Sequence, residues 1–380
     1  MKLAFITQDF PPALGGIQTY SYELSRRLAP KCDYFELFAP SHEGDDLFDR
    51  QCDFPVTRVP VSDSLLSAGL FFDFPALAFR KKFDVAFHAQ WQTLLPSVVA
   101  TGGGYPQKIF VAAHARELLF NPFGPHSFLG KKYQIFEQKM LNKVDRFYPV
   151  SHYTAGLLQD MGFSEHQMSV IPNGTDPGKF HPTDPSALTH RLQIDDRKVI
   201  LTITRLVYRK GIDTVIRSMK QIVKQNPDTI YLIAGGGEDE HRLKKLVDEL
   251  ELNYWIKFVG RVPDEELLLY YNVCDVFVMP SKTTPPNVEG FGIVFLEANA
   301  CGKPVVGSYS GGIPDAIVDE ETGIMVPEDN PDELAGALLT FLNDNELAQK
   351  VGAKGRDRVL SELNWDVIAD RLYKSMSTRL

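Results

Sequence analysis

Short apolar runs alternate with helically spaced stretches along almost the whole chain, which predicts an α/β protein. Lys2–Thr7 is an apolar run that gives way to a polar loop, Gln8–Gly16, and then to Ile17–Leu28 with helical spacing. Strands are expected at Asp33–Ala39, Val56–Pro60, Val85–Ala89, Ile109–His114 and Val144–Val150, with a helix at Leu94–Ala100. Ser151 is a plausible N-cap for the next helix. Val170–Asp176 reads as a further strand running into a turn. Residues 177–196, rich in Pro, Asp, His and Thr, read as a linker. The pattern then restarts with a strand at Val199–Thr204, a loop at Arg205–Gly211 and a helix at Ile212–Lys224. Further strands follow at Ile230–Ala234, Ile256–Val259, Val276–Met279 and Pro304–Gly307. Both halves thus read as mostly parallel sheets flanked by helices, and such sheets bind ligands beyond the carboxyl ends of their strands.

Length agrees with this division, since 380 residues suit two domains better than one. The expected boundaries are 1–176 for a first domain, 177–196 for the linker, and 197–360 for a second domain. Residues 361–380 form a last helix. The apolar stretch Leu65–Phe79 is broken by Gly69, Asp73 and Pro75, so it does not read as a bilayer span. Met1–Thr7 turns polar too soon for a signal peptide. Four scattered cysteines without CxxC spacing read as reduced thiols in a cytoplasmic protein. A net charge of −9 argues against a nucleic-acid partner. Yet residues 80–146 hold ten Lys/Arg against four Asp/Glu, a local excess of six.

Candidate chemistry concentrates in Pro285–Ala298, where Glu289 and Glu297 flank two glycines and a dense apolar run. A helix is expected to begin near Gly292 and stop at Gly302. Its first amides, at Gly290, Phe291, Gly292, Ile293 and Val294, would form an anion site that the glycines leave open to a ligand. That arrangement suits a sugar nucleotide, with phosphate on the amides, Glu297 on ribose hydroxyls and Glu289 near the sugar. The alternative is a surface helix whose Glu297 reaches water. Arg205 and Lys210 stand five apart in a loop after a strand, a fork and a point charge for the two sides of a diphosphate. A solvated basic loop is the other reading. His114 ends a strand, where pockets form. Gly15-Gly16 would bring a loop backbone close to a ligand, or serve as plain turn formers.

Together these residues resemble the retaining glycosyltransferases of family four. Gly15-Gly16 is similar to that family's N-terminal glycine loop, and His114 to its active-site histidine. Ser151–Thr154 and Ile171-Pro172-Asn173-Gly174 resemble its V-S-x-x-T and I-P-N-G signatures. Arg205, Lys210 and Gly211 match its R-x4-K-G element, and Glu289 through Glu297 its E-x7-E motif. The resemblance covers essentially the whole chain. It implies the GT-B fold, two facing Rossmann-like domains with an interdomain cleft and a C-terminal helix crossing back to the first domain. It also implies a hexosyl transfer from a nucleotide diphosphate sugar, GDP-mannose, UDP-glucose or UDP-GlcNAc, to an acceptor hydroxyl. That acceptor is lipid-linked, a glycan or a small molecule. His114, Arg205, Lys210 and Glu289 would be catalytic. Gly15, Gly16, Asn173, Arg261, Val262, Gly290–Val294 and Glu297 would join Arg205, Lys210 and Glu289 in holding the donor. No metal and no cofactor are expected. The basic region beside apolar residues at 65–66, 70–72, 74 and 126–147 suggests peripheral contact with an anionic membrane at its inner face. Three rival functions remain at this point: a sugar-nucleotide epimerase or hydrolase of the same fold, a non-catalytic nucleotide-binding regulator, and a dinucleotide-dependent oxidoreductase. The last is disfavoured because no GxGxxG follows a strand.

Overall fold

The computed structural model describes residues 1–379 and divides into two compact units, Met1–Asn173 with Trp365–Leu380, and Gly174–Asn364. In the first unit six strands make one parallel sheet: β1 (Lys2–Ile6), β2 (Tyr34–Pro40), β3 (Val56–Val59), β4 (Val85–His88), β5 (Lys108–Ala113) and β6 (Arg146–Pro149). Their order is β3-β2-β1-β4-β5-β6. Most are buried along nearly their whole length because helices cover the sheet. Ala4, Ile6, Phe38, Leu66 and Phe74 form one core cluster, and Trp91, Ile109, Val111, Phe147 and Leu158 another. The C-terminal helix Trp365–Ser377 lies on the helix Gly16–Leu28 within this unit. Trp365 meets the Tyr20 ring edge-on at 6.1 Å, and Arg27 and Lys31 pair with Asp366 and Asp370 at 2.7 and 2.6 Å.

The second unit repeats the plan with β7 (Lys198–Ile203), β8 (Thr229–Ala234), β9 (Ile256–Gly260), β10 (Val276–Met279), β11 (Val305–Ser308) and β12 (Gly323–Val326). The order is β12-β11-β10-β7-β8-β9, again with the first strand beside the fourth. In each sheet the order in which strands are added therefore reverses at that pair, and the carboxyl-end crevice there is where open α/β sheets take ligands. For the second unit the pair is β7 and β10.

Three expectations need correction. Val170–Asp176 is not a strand: after Ser169 N–H bonds Phe147 O, the segment adds to β6 only the bond from Ile171 N–H to Pro149 O, both at 3.0 Å. Pro149 has no N–H to return a bond, so the ladder stops. Residues 177–196 are not a linker but belong to the second unit. They contain the helix Ser186–Leu192 and bury Phe180, Leu188 and Ile194. Asn272 bonds the Thr183 amide and the His181 carbonyl, each at 2.9 Å, and Arg191 forks onto Glu266 at 2.8 and 2.6 Å. The sequence pattern does not announce β12, a short Gly-Ile-Met-Val segment that opens on glycine, which strands disfavour.

Candidate functional site

The loops leaving β7 and β10 carry the charges expected to meet a diphosphate sugar. After β7 the chain passes Arg205, makes a 3-10 turn at Tyr208–Lys210 and enters the helix Ile212–Gln225 through Gly211. Gly211 has φ +68° and lies against the Pro280 carbonyl, where any Cβ would sit 1.9 Å from the oxygen. Only glycine allows that approach, which brings the β7 and β10 loops together. Across this contact Lys210 Nζ bonds Glu289 Oε2 at 2.5 Å, and Arg209 Nη1 bonds the same oxygen at 2.9 Å. Lys210 and Glu289 are nearly sealed from solvent, at 9% and 13% side-chain exposure. Burial alone would push the Glu289 carboxyl up, but the two cations override it and hold it at about 2. Burial draws the Lys210 ammonium down from the ordinary lysine value, with Glu289 opposing and Arg209 and Arg205 adding to the fall. A second ionic group braces the turn. The Lys282 amide donates to the Arg209 carbonyl at 2.6 Å, while its Nζ reaches Asp213 at 3.1 Å and Asp329 at 2.7 Å.

Glu289 lies just before the helix Ile293–Ala300, whose entry residue Gly292 has φ +94°. Gly312 N–H bonds the Glu289 carbonyl at 2.8 Å, and a Cβ on Gly311 would come within 2.2 Å of that oxygen, so this loop is fixed from β11 too. The amides of Phe291, Gly292, Ile293 and Val294 have no acceptor among the described residues. Glu297, on the second turn, accepts from Tyr271 Oη at 2.5 Å. Burial raises the Glu297 carboxyl above its usual value, with the Tyr271 bond acting against it.

The other expected residues fall as follows. Arg205 is exposed at the rim of the β7 loop and has no ion-pair partner among the described residues. Arg261 is exposed after β9, with its side chain over Gly236 and Val262 beside it. Gly15, Gly16, His114 and Asn173 belong to the first unit. His114 follows β5, buried, its ring edge-on to Tyr20 at 4.7 Å, and Nε2 has no hydrogen-bond partner among the described residues. Burial draws its imidazole down to about 4, so it is neutral at physiological pH. Its amide bonds Glu117, whose carboxyl burial pushes up to about 7. Gly15 makes room for Gln18, which donates to Asp9 at 2.6 Å, whereas Gly16 faces open space. Asn173 is buried, and its Oδ1 has no partner among the described residues. Arg209, Tyr271 and Lys282 were not singled out from the sequence. Arg209 was hidden in a basic run, and Tyr271 lies 26 residues before Glu297 on another helix.

The first unit has two further surface features. An open recess at the carboxyl ends of β2 and β3 is lined by Ser41, His42, Glu43, Ser62, Asp63 and Ser64. Of the apolar positions suspected of facing lipid, Leu66, Leu70 and Phe74 are core, but Leu65 and Phe72 are exposed, as is the nearby Phe79. On the helix Phe128–Leu141, Phe128, Leu129, Ile135 and Phe136 are exposed beside Lys131, Lys132 and Lys139. No helix among the described residues is long and apolar enough to cross a membrane.

Comparison with known proteins agrees with this arrangement. A family model described as Glycosyl transferases group 1 matches residues 188–358, and one described as Glycosyltransferase Family 4 matches residues 14–179. The chain is 30% identical, over 98% of its length, to the GDP-mannose-dependent monoacylated alpha-(1-6)-phosphatidylinositol monomannoside mannosyltransferase of Corynebacterium glutamicum, covering 96% of that protein. It is also 30% identical to the GDP-mannose-dependent alpha-(1-6)-phosphatidylinositol monomannoside mannosyltransferase of Mycobacterium tuberculosis, with 98% and 97% covered. Among solved structures, Anabaena HepE in complex with UDP superposes with a TM-score of 0.83 at 19% identity over all of both chains. Sucrose-phosphate synthase from Thermosynechococcus elongatus does so at 0.76 and 24% identity, again over all of both chains. These two likenesses concern the fold, which is GT-B. With both models matched and relatives aligned along nearly their whole length, the chain belongs to the group 1 glycosyl transferases, glycosyltransferase family 4.

Proposed function

We propose that this transferase moves a hexose from a nucleotide diphosphate sugar to a hydroxyl of a lipid-linked acceptor, with retention and without a metal ion. The observation that carries the reading is the Lys210–Glu289–Arg209 contact beside unpartnered helix amides, at the strand reversal of the second unit. Cations beside open amides suit a leaving diphosphate, and a buried ionised carboxylate suits sugar hydroxyls. In the reaction the bond from the anomeric carbon to the diphosphate breaks and the acceptor oxygen bonds that carbon from the same face. The acceptor's proton passes to a donor phosphate oxygen, so the chain needs no nucleophile. Lys210 and Arg205 balance the charge that grows on the departing diphosphate, the kind of stabilisation that dominates many enzymic rates. Glu297, oriented by Tyr271, takes ribose hydroxyls. His114, neutral and with Nε2 open, is in the form that serves a sugar hydroxyl. The recess between Ser41 and Ser64 suits a polar acceptor head.

GDP-mannose is the preferred donor, because both nearly full-length relatives named above are GDP-mannose-dependent. Their phosphatidylinositol-based acceptors also favour a lipid, as do Phe72, Phe79, Phe128 and Leu129, exposed beside basic residues. We therefore favour peripheral binding to the inner leaflet. Thermal shift with GDP, UDP and their sugars tests the donor. A ligand at a hundred times its dissociation constant stabilises the native chain by about 2.7 kcal/mol. A rise with GDP-mannose above that with UDP-glucose is expected; no rise with any nucleotide would remove the reading.

A further inference from the structure

One oxygen of Glu289, Oε2, takes both Arg209 and Lys210, while Oε1 has no partner among the described residues. Two cations around one carboxylate leave the place with an excess positive charge before any donor arrives. The two cations are not held alike. Arg209 is pinned through its carbonyl by the Lys282 amide, in a turn that Gly211 locks against Pro280. Lys210 ends in a flexible ammonium whose other neighbour is the weak acceptor Met279 Sδ at 3.4 Å. Its charge is opposed by burial and by Arg209 and Arg205, so a diphosphate would relieve it. If Lys210 turned to phosphate with no other cation present, Glu289 would be left buried, ionised and unpaired, which is costly.

We propose that Arg209 is a positioning residue for Glu289, keeping that carboxylate paired and aimed at the sugar once Lys210 engages the donor diphosphate. The inference deepens the proposed function and rests on it. No other charged side chain bonds Glu289 among the described residues: the β11 loop offers only the Gly312 amide and the close backbone of Gly311. A guanidinium fits this duty because it stays charged when buried and presents several donors in a fixed plane.

The test uses Arg209→Ala and Arg209→Lys, each alone and with Glu289→Gln, and whichever of GDP-mannose, UDP-glucose and UDP-GlcNAc the native chain turns over. Arg209→Ala is expected to keep its affinity for GDP and UDP within about threefold while kcat falls on the order of tenfold to a hundredfold, as for a misplaced reacting group. The acid limb of kcat/KM should move to higher pH, because Glu289 loses one of the charges that keep it ionised. Arg209→Lys should restore much of that limb. In the Glu289→Gln background, Arg209→Ala should change turnover by less than about twofold, since the two residues act as one unit. Nucleotide affinity that falls as far as turnover would overturn the inference, as would a full loss persisting beside Glu289→Gln. Should the native chain turn over none of the three sugars, the functional reading fails. Carbon NMR of labelled Glu289 then still decides the contact: its titration must rise in Arg209→Ala, and an unmoved midpoint overturns it.

Discussion

Replacing Glu289 by glutamine tests the buried ion pairs as physics, independently of any substrate. The carboxyl is held at about 2, against its usual 4.5. That gap corresponds to about 3 kcal/mol of stability at neutral pH. Because the folded value is the depressed one, the contribution is complete above the unfolded value and fades as pH falls. Somewhat less than half remains near pH 3, and little is left near pH 2, by the same linkage. A glutamine amide at this position cannot ionise, so the Glu289→Gln variant should be about 3 kcal/mol less stable than the native chain at pH 7. Most of that deficit should vanish near pH 3. Urea titrations followed by far-ultraviolet circular dichroism at both pH values measure it, with the two units fitted as separate transitions. A gap that stayed constant with pH would refute the reasoning, because it would mean that charge at Glu289 contributes nothing.

Three other outcomes are expected. Tyr271→Phe removes the only side-chain hydrogen bond of Glu297 among the described residues, and should weaken GDP or UDP binding several-fold by calorimetry while lowering kcat little if Glu297 holds the ribose, since such contacts persist through the reaction. Equal losses in affinity and kcat would contradict that assignment. Turnover should survive EDTA, because Lys210 and Arg205 would supply the positive charge a diphosphate needs; a strict need for added divalent metal would count against it. The chain should sediment with vesicles containing anionic lipid, less so at high salt and less after Phe72→Ser with Phe128→Ser. Equal sedimentation with neutral vesicles would remove the electrostatic part of that reading.

The sequence announced the site most clearly where chemistry and glycine stand close together in the chain. Glu289 and Glu297 frame one loop and helix, and Lys210 and Gly211 close another, so their local spacing survived into the fold. What sequence could not supply was pairing across strands. That Arg209, rather than Arg205, joins Lys210 on Glu289 depends on which way a 3-10 turn faces, and a basic run does not encode this. Residues 177–196 misled for a different reason. Their prolines and polar residues have linker composition, yet Phe180, Leu188 and Ile194 anchor them by burial, and tertiary contact outweighs local composition. The apolar stretch at 65–79 mixes core and surface, with Phe74 buried and Phe72 exposed two residues away. Hydrophobicity alone could not separate them.

The most direct measurement of the central claim is release of nucleoside diphosphate from GDP-mannose, UDP-glucose and UDP-GlcNAc, with membrane extract supplying acceptors, by native and Lys210→Ala chains. Native protein should turn over one donor clearly, GDP-mannose by preference. The variant, folded but lacking the ammonium on the departing diphosphate, should be slower on the order of a hundredfold or more. No release by the native chain from any of the three, or undiminished release by Lys210→Ala, would contradict the account.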